Sequence, residues 1–259
     1  MSLPLRLRRR RPAAALLFVL MLVPAIRAQW RTPWTYEGPR GADHWAELDP
    51  EYKLCAAGLA QSPIDIGETV KADLPPLEFH FEAEPLKYLV NNGATVRVNY
   101  HDAGSPDALV VGGKRYRLTQ FHFHRPSEER INGRAFAMDV HFMFEADDKS
   151  VAGVAVLVNP GTANDVVAEL WTYLPTTEGP EHAVPGLTLN PMGLLPSVRG
   201  YYEYEGSVTA PPCTEGVRWF VLKTPIQFSR DQIAAYVHVY PNDARPPQPL
   251  HGRVVREGR

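Results

Sequence analysis

Apolar and polar residues alternate with a period of two along much of the middle of the chain. Segments 94–100, 116–124 and 137–144 show this alternation, and turn residues separate them. Successive side chains of a strand point to opposite faces of a sheet, so each segment is predicted to form a strand with one buried face. The continuous apolar segment 151–158 predicts a strand buried on both faces, and 219–223 predicts a further strand.

Two short segments have a helical pattern instead. One is 166–173, for which Asn164 or Asp165 offers an N-cap. The other is 231–239, for which Ser229 offers the cap. Both are short, so helices are predicted to be minor elements of the fold.

Both ends of the candidate domain lack a regular pattern. Residues 29–60 are rich in Trp, Pro and Gly, and 245–250 read Arg-Pro-Pro-Gln-Pro-Leu. We expect both segments to be irregular. The patterns together predict a single, mainly β domain with one dominant sheet and a few short peripheral helices.

The first 28 residues carry the pattern of a secretory signal peptide. Five arginines lie within 6–11, an apolar segment follows at 13–26, and Ala28 offers a small residue at the cleavage position. A membrane anchor is the alternative, but the apolar segment is shorter than the roughly 20 residues that a spanning helix needs. We therefore predict a signal peptide over 1–28 and a mature domain over 29–259 that is periplasmic or secreted and has no membrane span.

Removal of the signal peptide makes the remaining chain acidic. The full chain has 27 basic and 29 acidic residues. Residues 1–28 contain six of the basic residues and none of the acidic ones, which leaves 21 basic against 29 acidic residues and a formal net charge of −8. A domain with this charge and no basic patch is unsuited to bind nucleic acid.

Cys55 and Cys213 are the only cysteines. Export to an oxidising compartment favours a disulfide between them. Two unpaired buried thiols are the alternative.

The candidate chemistry lies at the end of segment 116–124, which reads Gln-Phe-His-Phe-His. Residues two apart share a face of a strand, so His122 and His124 point to one side. Phe121 and Phe123 point to the other side. The phenylalanines can then pack in a core while the imidazoles converge on a metal ion.

A hairpin brings a third histidine to the same place. Asn-Gly at 132–133 is a strong signal for a two-residue turn. If it is the turn, the numbers of paired residues add up to 265, which places His141 opposite His124 and diagonal to His122. Three imidazoles on one face can hold a tetrahedral Zn²⁺ with the fourth position open. Three ordinary histidines are the alternative, and Pro126, which cannot donate to a ladder, leaves the register open.

Each of these two strands also carries a candidate partner for a ligand. Gln120 lies two residues before His122, and Asp139 lies two residues before His141. A ligating histidine usually gives its other N–H to an oxygen acceptor, which both side chains can provide. Three neutral nitrogen ligands leave the metal its full charge, which lowers the pKa of bound water to about 7.

A set of separated motifs adds a family resemblance. The motifs are Trp34-Thr-Tyr-Glu-Gly38, His44-Trp45, Gln61-Ser-Pro-Ile-Asp65, Asn91-Asn-Gly93, Gln120-Phe-His-Phe-His124, Pro126-Ser-Glu128, Gly206-Ser-Val-Thr-Ala-Pro-Pro-Cys213 and Arg245-Pro-Pro-Gln-Pro-Leu250. In this order they resemble the α-class carbonic anhydrases over nearly the whole mature chain. The resemblance implies a twisted, mostly antiparallel, ten-stranded central sheet with Zn²⁺ in a conical cleft. It also implies reversible hydration of CO2 to bicarbonate and a proton, and it matches the two cysteines to a disulfide common in exported members.

The resemblance assigns roles to further side chains. Thr209 matches the family's gatekeeper threonine, and Glu128 matches its partner. The threonine hydroxyl would accept a hydrogen bond from the nucleophile and donate one to the glutamate, which orients the nucleophile and excludes anions that have no proton to donate. The apolar wall where CO2 rests is matched by Met143, Val151, Val208 and Trp219.

Four positions depart from the family pattern. Ala94 stands where many fast members carry the histidine that moves protons out of the cleft, so we expect proton transfer to slow the reaction. Glu129 stands where histidine is frequent, Asp139 where glutamate is common, and Ala210 where threonine is frequent. None of the four changes removes a metal ligand.

Two other functions stay open on the sequence. The spacing from His122 and His124 to Glu128 also fits the first metal motif of cupin enzymes, which bind iron or manganese, but the Pro-x-Gly motif expected around His141 is absent. The other alternative is a non-catalytic module similar to carbonic anhydrases. Such relatives lack one or more zinc histidines, whereas this chain retains all three. The sequence leaves the oligomeric state open between a monomer and a homodimer.

Overall fold

The computed structural model describes residues 32–101 and 105–258. The signal peptide predicted over 1–28 lies outside these ranges and stays a prediction. Within the described ranges, no helix combines the length and the apolar character that crossing a membrane requires.

Strands dominate the regular structure of the described residues. They are β1 (Asp65–Ile66), β2 (Val70–Lys71), β3 (Glu78–His80), β4 (Glu84–Pro85), β5 (Leu89–Asn91), β6 (Val96–Asn99), β7 (Ala108–Val111), β8 (Lys114–His124), β9 (Arg130–Ile131), β10 (Arg134–Ala135), β11 (Met138–Glu145), β12 (Val151–Pro160), β13 (Thr188–Leu189), β14 (Tyr201–Ser207), β15 (Glu215–Phe228) and β16 (Arg256–Glu257). The α-helices are α1 (Trp45–Leu48), α2 (Leu54–Ala57), α3 (Asp165–Trp171) and α4 (Arg230–Val239).

Single turns of 3-10 helix complete the list, at Gly38–Arg40, Ala42–His44, Pro50–Tyr52 and Pro191–Leu194. The segment 29–60, predicted to be irregular, therefore contains a series of short helical turns in its described part. The tail 245–250 has no regular element, as predicted.

One large sheet organises the domain. Its strands follow the order β2-β16-β14-β15-β12-β11-β8-β6-β5, and β7 pairs with both β8 and β3. The β12–β15 and β2–β16 pairs are parallel, and the other pairs are antiparallel. The prediction of a mainly β fold around a large, mostly antiparallel sheet is confirmed. Within the described ranges, the sheet has eleven strands in place of the expected ten, and its pairing is mixed.

The period-two alternation distributes the side chains of the central strands over two faces. On one face, Phe121, Phe142 and Val154 belong to a large apolar core that also contains buried residues of α3 and α4. On the other face, Met143 and Trp219 belong to a second, smaller apolar cluster. The three candidate metal ligands alternate with residues of the large core, so they lie on the second face.

Both predicted helices have the predicted caps. Asn164 precedes α3, and its side chain accepts the backbone N–H of Val167 at 3.1 Å. Ser229 precedes α4 and forms a reciprocal capping box with Gln232, with hydrogen bonds of 3.1 and 3.0 Å. These hydrogen bonds satisfy backbone donors that the first turn of a helix leaves unpaired.

The predicted Asn-Gly turn is present. Asn132 and Gly133 both have positive φ, 51° and 78°, as a two-residue turn of this kind requires. The turn connects β9 to β10, and Arg130 pairs with Ala135 as expected. The hairpin is therefore confirmed next to the turn.

Beyond the turn, the register differs from the predicted one. His141 pairs with His122, and Asp139 pairs with His124. The prediction that His141 lies opposite His124 is therefore wrong by two residues. The reason is that residues 125–129, which include a proline, leave the ladder and contain two residues more than the connection on the other strand.

Candidate metal centre

Strands β8 and β11 bring the three histidines together. One ring nitrogen from each of His122, His124 and His141 lies within 4.8 Å of the other two. The ring centroids of His124 lie 4.7 Å from those of both other rings, and those of His122 and His141 are 5.3 Å apart. His124 and His141 are buried, whereas His122 is only half-buried, so solvent reaches the triad on the His122 side.

Two of the imidazoles are held through Nδ1. Gln120 Oε1 lies 2.7 Å from His122 Nδ1. The backbone carbonyl oxygen of Asp243 lies 2.7 Å from His124 Nδ1. Both oxygens accept a ring N–H, which leaves the Nε2 atom of each ring with its lone pair available. Sequence reasoning missed Asp243, whose only signal is that it precedes the closing motif by two residues.

His141 is held through its other nitrogen, Nε2. Glu129 Oε2 lies 2.9 Å from this nitrogen, and Asp139 Oδ2 lies 3.3 Å from it. Sequence reasoning offered Asp139 alone as the partner, because only Asp139 shares a strand with His141. Glu129 lies in the irregular segment after β8, where no periodicity indicates which way a side chain points.

Unpartnered buried atoms mark the point that the rings face. Among the described residues, His124 Nε2, His141 Nδ1 and Glu128 Oε2 have no hydrogen-bond partner. The carboxylate oxygen lies 3.4 Å from the first nitrogen and 3.7 Å from the second. A buried polar atom left without a partner costs on the order of 1–3 kcal/mol, so such a cluster indicates a bound ligand. Three imidazole nitrogens fit Zn²⁺ with a fourth position for a small ligand.

The electrostatics of the triad suit a cation. Burial, with the neighbouring His141, lowers the pKa of His124 to about 4. Burial and the other two rings also lower the pKa of His122 well below its usual range, so both rings are neutral at pH 7, as metal ligands must be. Burial also acts to lower the pKa of His141, but the charges of Asp139 and Glu129 outweigh it and raise that pKa well above its usual range. This negative charge favours a cation beside the ring.

Glu128 lies buried beside the triad. Its Oε1 accepts the backbone N–H of Arg245 at 2.7 Å, and its own backbone N–H donates to Asp139 Oδ2 at 2.7 Å. Burial raises the pKa of Glu128 well above its usual range, and His141 and the hydroxyl of Thr209 oppose this in part. The fold thus brings Thr209 and Glu128 together next to the histidines.

The residues matched to the apolar wall form one cluster on the same face. The Trp219 ring lies 4.8 Å from the His141 ring, centroid to centroid. Gly153 on the neighbouring strand makes room for this tryptophan, because a Cβ at that position would lie 2.7 Å from the indole. Met143 and Trp219 are buried members of this cluster, and the half-buried Val151 and Val208 pack against it.

The structure contains the predicted disulfide between Cys55 and Cys213. It joins α2 to the segment that follows Thr209. Gln61 Nε2 donates to the carbonyl oxygen of Cys213 at 3.0 Å. The disulfide and this hydrogen bond both hold the segment that carries Thr209.

Comparisons with known proteins agree with this geometry. The family model described as eukaryotic-type carbonic anhydrase matches residues 40–259. A carbonic anhydrase of Klebsiella pneumoniae is 39% identical over 246 residues, which cover 94% of this chain and 97% of the relative. That of Neisseria gonorrhoeae is 39% identical over 227 residues, which cover 87% and 88%. Among solved structures, the α-carbonic anhydrase of Thermovibrio ammonificans in complex with the inhibitor sulfanilamide superimposes with a TM-score of 0.82 at 38% identity, covering 87% of this chain and 99% of that chain.

The fold and the histidine triad define a mainly β protein with a site suited to a metal. The matches extend over most of the chain and most of each relative. The chain therefore belongs to the eukaryotic-type carbonic anhydrase family of enzymes. The cupin alternative is thereby excluded.

Proposed function

We propose that this protein catalyses the reversible hydration of carbon dioxide to bicarbonate and a proton, with Zn²⁺ held by His122, His124 and His141. The observation that carries the proposal is the convergence of one ring nitrogen from each of the three histidines, within 4.8 Å of one another. Family membership supports the reaction. The donor set supports the metal, because three imidazole nitrogens suit zinc and leave a coordination position for water.

The side chains next to the metal orient the nucleophile. Zn²⁺, when bound, would supply a Lewis acid that makes water nucleophilic near neutral pH. Thr209 accepts a hydrogen bond from the nucleophile and donates its own hydrogen to Glu128, so that a lone pair of the nucleophile faces the carbon of CO2. Glu128 is a rigid acceptor because the backbone N–H of Arg245 fixes its Oε1 at 2.7 Å. An anion without a hydrogen has nothing to donate to Thr209 and is disfavoured.

The apolar wall suits an uncharged, apolar substrate. Met143, Val151, Val208 and Trp219 offer it no hydrogen bond. The only strong hydrogen-bond donor among these four side chains is Trp219 Nε1. It already donates to the carbonyl oxygen of Ser207 at 2.9 Å. CO2 gains by leaving water for this surface, whereas bicarbonate does not, which favours release of the product.

The position where many members of the family carry a proton-transferring histidine is Ala94 in this chain. Ala94 lies half-buried in the turn between β5 and β6 and has no titratable group. His101, the next histidine along the chain, is engaged with Glu181 at 2.8 Å. We therefore expect buffer molecules to carry the proton to solvent and proton transfer to limit turnover.

The proposal also includes the compartment in which the enzyme acts. A signal peptide over 1–28 would export the domain, and the disulfide between Cys55 and Cys213 suits an oxidising compartment. The enzyme would then act on CO2 or bicarbonate in the periplasm or outside the cell.

The decisive experiment combines CO2 hydration by stopped flow with metal analysis of the same samples of the mature domain. We expect about one zinc per chain, and His141→Ala should lose metal and activity together. His238→Ala, which replaces an exposed histidine of α4, is the matched control and should keep both. Bound zinc without CO2 hydration in the unmutated protein would favour the non-catalytic module. Full zinc retention by His141→Ala would contradict the ligand assignment.

A further inference from the structure

Glu129 is a fully buried carboxylate behind the third histidine. Its Oε2 lies 2.9 Å from His141 Nε2. Burial of a carboxylate is costly unless hydrogen bonds replace those lost with water, so the contacts of a buried carboxylate indicate what it does. Here the contact is with Nε2 of His141, whereas Nδ1 of the same ring has no hydrogen-bond partner among the described residues.

Asp139 is committed elsewhere. Its Oδ2 accepts the backbone N–H of Glu128 at 2.7 Å, and the same oxygen lies 3.3 Å from His141 Nε2. Its Oδ1 has no hydrogen-bond partner in the described part of the chain. The main contact of Asp139 is therefore with the backbone of the segment after β8, whereas the shorter contact with the imidazole belongs to Glu129.

The second oxygen of Glu129 is also held. The hydroxyl oxygen of Tyr204 lies 3.3 Å from Glu129 Oε1 and 3.1 Å from Ser62 Oγ. A hydroxyl has one hydrogen and a carboxylate can only accept, so Tyr204 donates to Glu129 and accepts from Ser62. Ser62 in turn accepts the backbone N–H of Ser207 at 3.1 Å. The carboxylate thus has a fixed orientation, anchored to β14 and to the segment before β1.

We propose that Glu129, held by Tyr204, is the positioning residue that fixes the tautomer and the ring orientation of His141, so that Nδ1 faces the metal. The proposal rests on the zinc site proposed above. It gives Asp139 a different task, the positioning of Glu128. An outer partner of this kind typically changes metal affinity about 10- to 100-fold when it is lost.

Zinc affinity is the readout that separates positioning from packing. We would measure the zinc dissociation constant of the mature domain by competition with a chromophoric chelator, and the unfolding midpoint of each metal-free form. Glu129→Gln keeps the shape and one acceptor oxygen, and Asp139→Asn is its matched counterpart. Glu129→Ala removes the acceptor altogether.

We expect the dissociation constant to rise by about 10- to 100-fold in Glu129→Ala, by less in Glu129→Gln and least in Asp139→Asn. Tyr204→Phe should weaken zinc binding in the same direction as Glu129→Gln. A dissociation constant for Glu129→Gln equal to that of the unmutated protein, or a larger increase in Asp139→Asn, would overturn the proposal. If Glu129→Ala does not fold, the isosteric pair decides alone. Absence of zinc binding by the unmutated protein would refute the proposed function as well, which distinguishes the two failures.

Discussion

Removal of the disulfide between Cys55 and Cys213 should reduce stability and leave the chemistry largely intact. The bond joins residues 158 positions apart. Hydrogen bonds hold both cysteines independently of the sulfur atoms. The carbonyl oxygen of Cys55 accepts from Arg245 at 2.8 Å, and that of Cys213 accepts from Gln61 at 3.0 Å. We therefore expect the folded state to keep its geometry without the cross-link.

The magnitude follows from the length of the closed loop. In the unfolded chain, a cross-link over this separation removes entropy worth about 5 kcal/mol at 25 °C. A domain of this size loses roughly 2–4 °C in Tm for each kcal/mol. The expected decrease in Tm is therefore about 10–20 °C.

The assay is thermal unfolding of the double variant Cys55→Ala and Cys213→Ala, followed by circular dichroism. Alanine avoids a new buried hydroxyl at these positions, which are 7% and 0% exposed. Unmutated protein reduced with dithiothreitol is the control and should unfold at a similar temperature. CO2 hydration at 25 °C should stay within about twofold of the cross-linked protein, because the hydrogen bonds from Arg245 and Gln61 keep the folded geometry of both segments. If Tm decreases by less than about 3 °C in both samples, the explanation by loop entropy is refuted.

Three further predictions concern the site and the stability of the fold. Thr209→Val should lower kcat/KM for CO2 hydration by on the order of 100-fold with zinc content unchanged, and Thr209→Ser should restore most of it, because only the hydroxyl orients the nucleophile. Ala94→His should raise kcat in dilute buffer and leave kcat/KM nearly unchanged; a kcat already indifferent to buffer concentration would contradict this. Burial raises the pKa of Asp107 to about 6, above its value in the unfolded chain, so the folded protein favours the protonated, uncharged carboxyl. The free energy of unfolding therefore falls as pH rises from about 4 to 6 and this carboxyl must ionise. Asp107→Asn, measured by urea unfolding, should therefore be more stable relative to the unmutated protein at pH 7 than at pH 4.5; a pH-independent difference would refute the assignment.

Local patterns were sufficient wherever the determinant lies within a few residues. The caps at Asn164 and Ser229 depend on a backbone N–H three residues ahead, and both are visible in the sequence. The partner of His124 is not visible in the sequence, because it is the backbone carbonyl of Asp243, 119 residues away. Every residue has a backbone carbonyl, so the residue type gives no sign of which one lies beside His124. The contact of Glu129 with His141 was not predicted for a different reason. Glu129 lies in an irregular segment, where no periodicity indicates the direction of a side chain.

The register error shows why the histidine triad was nevertheless predictable. A turn fixes the pairing next to it, and residues 125–129 then change that pairing by two before the long strands begin. Side chains alternate with a period of two, so an even shift moves His141 along the face of the sheet but leaves it on that face. A shift of one would have placed His141 among the phenylalanines of the core, away from His122 and His124. The face is thus determined by the alternation within each strand, whereas the opposite neighbour, His122 in place of His124, is determined by the length of an irregular connection. That same connection carries Glu128 and Glu129, so the extra residues that change the simple register also supply two carboxylates beside His141.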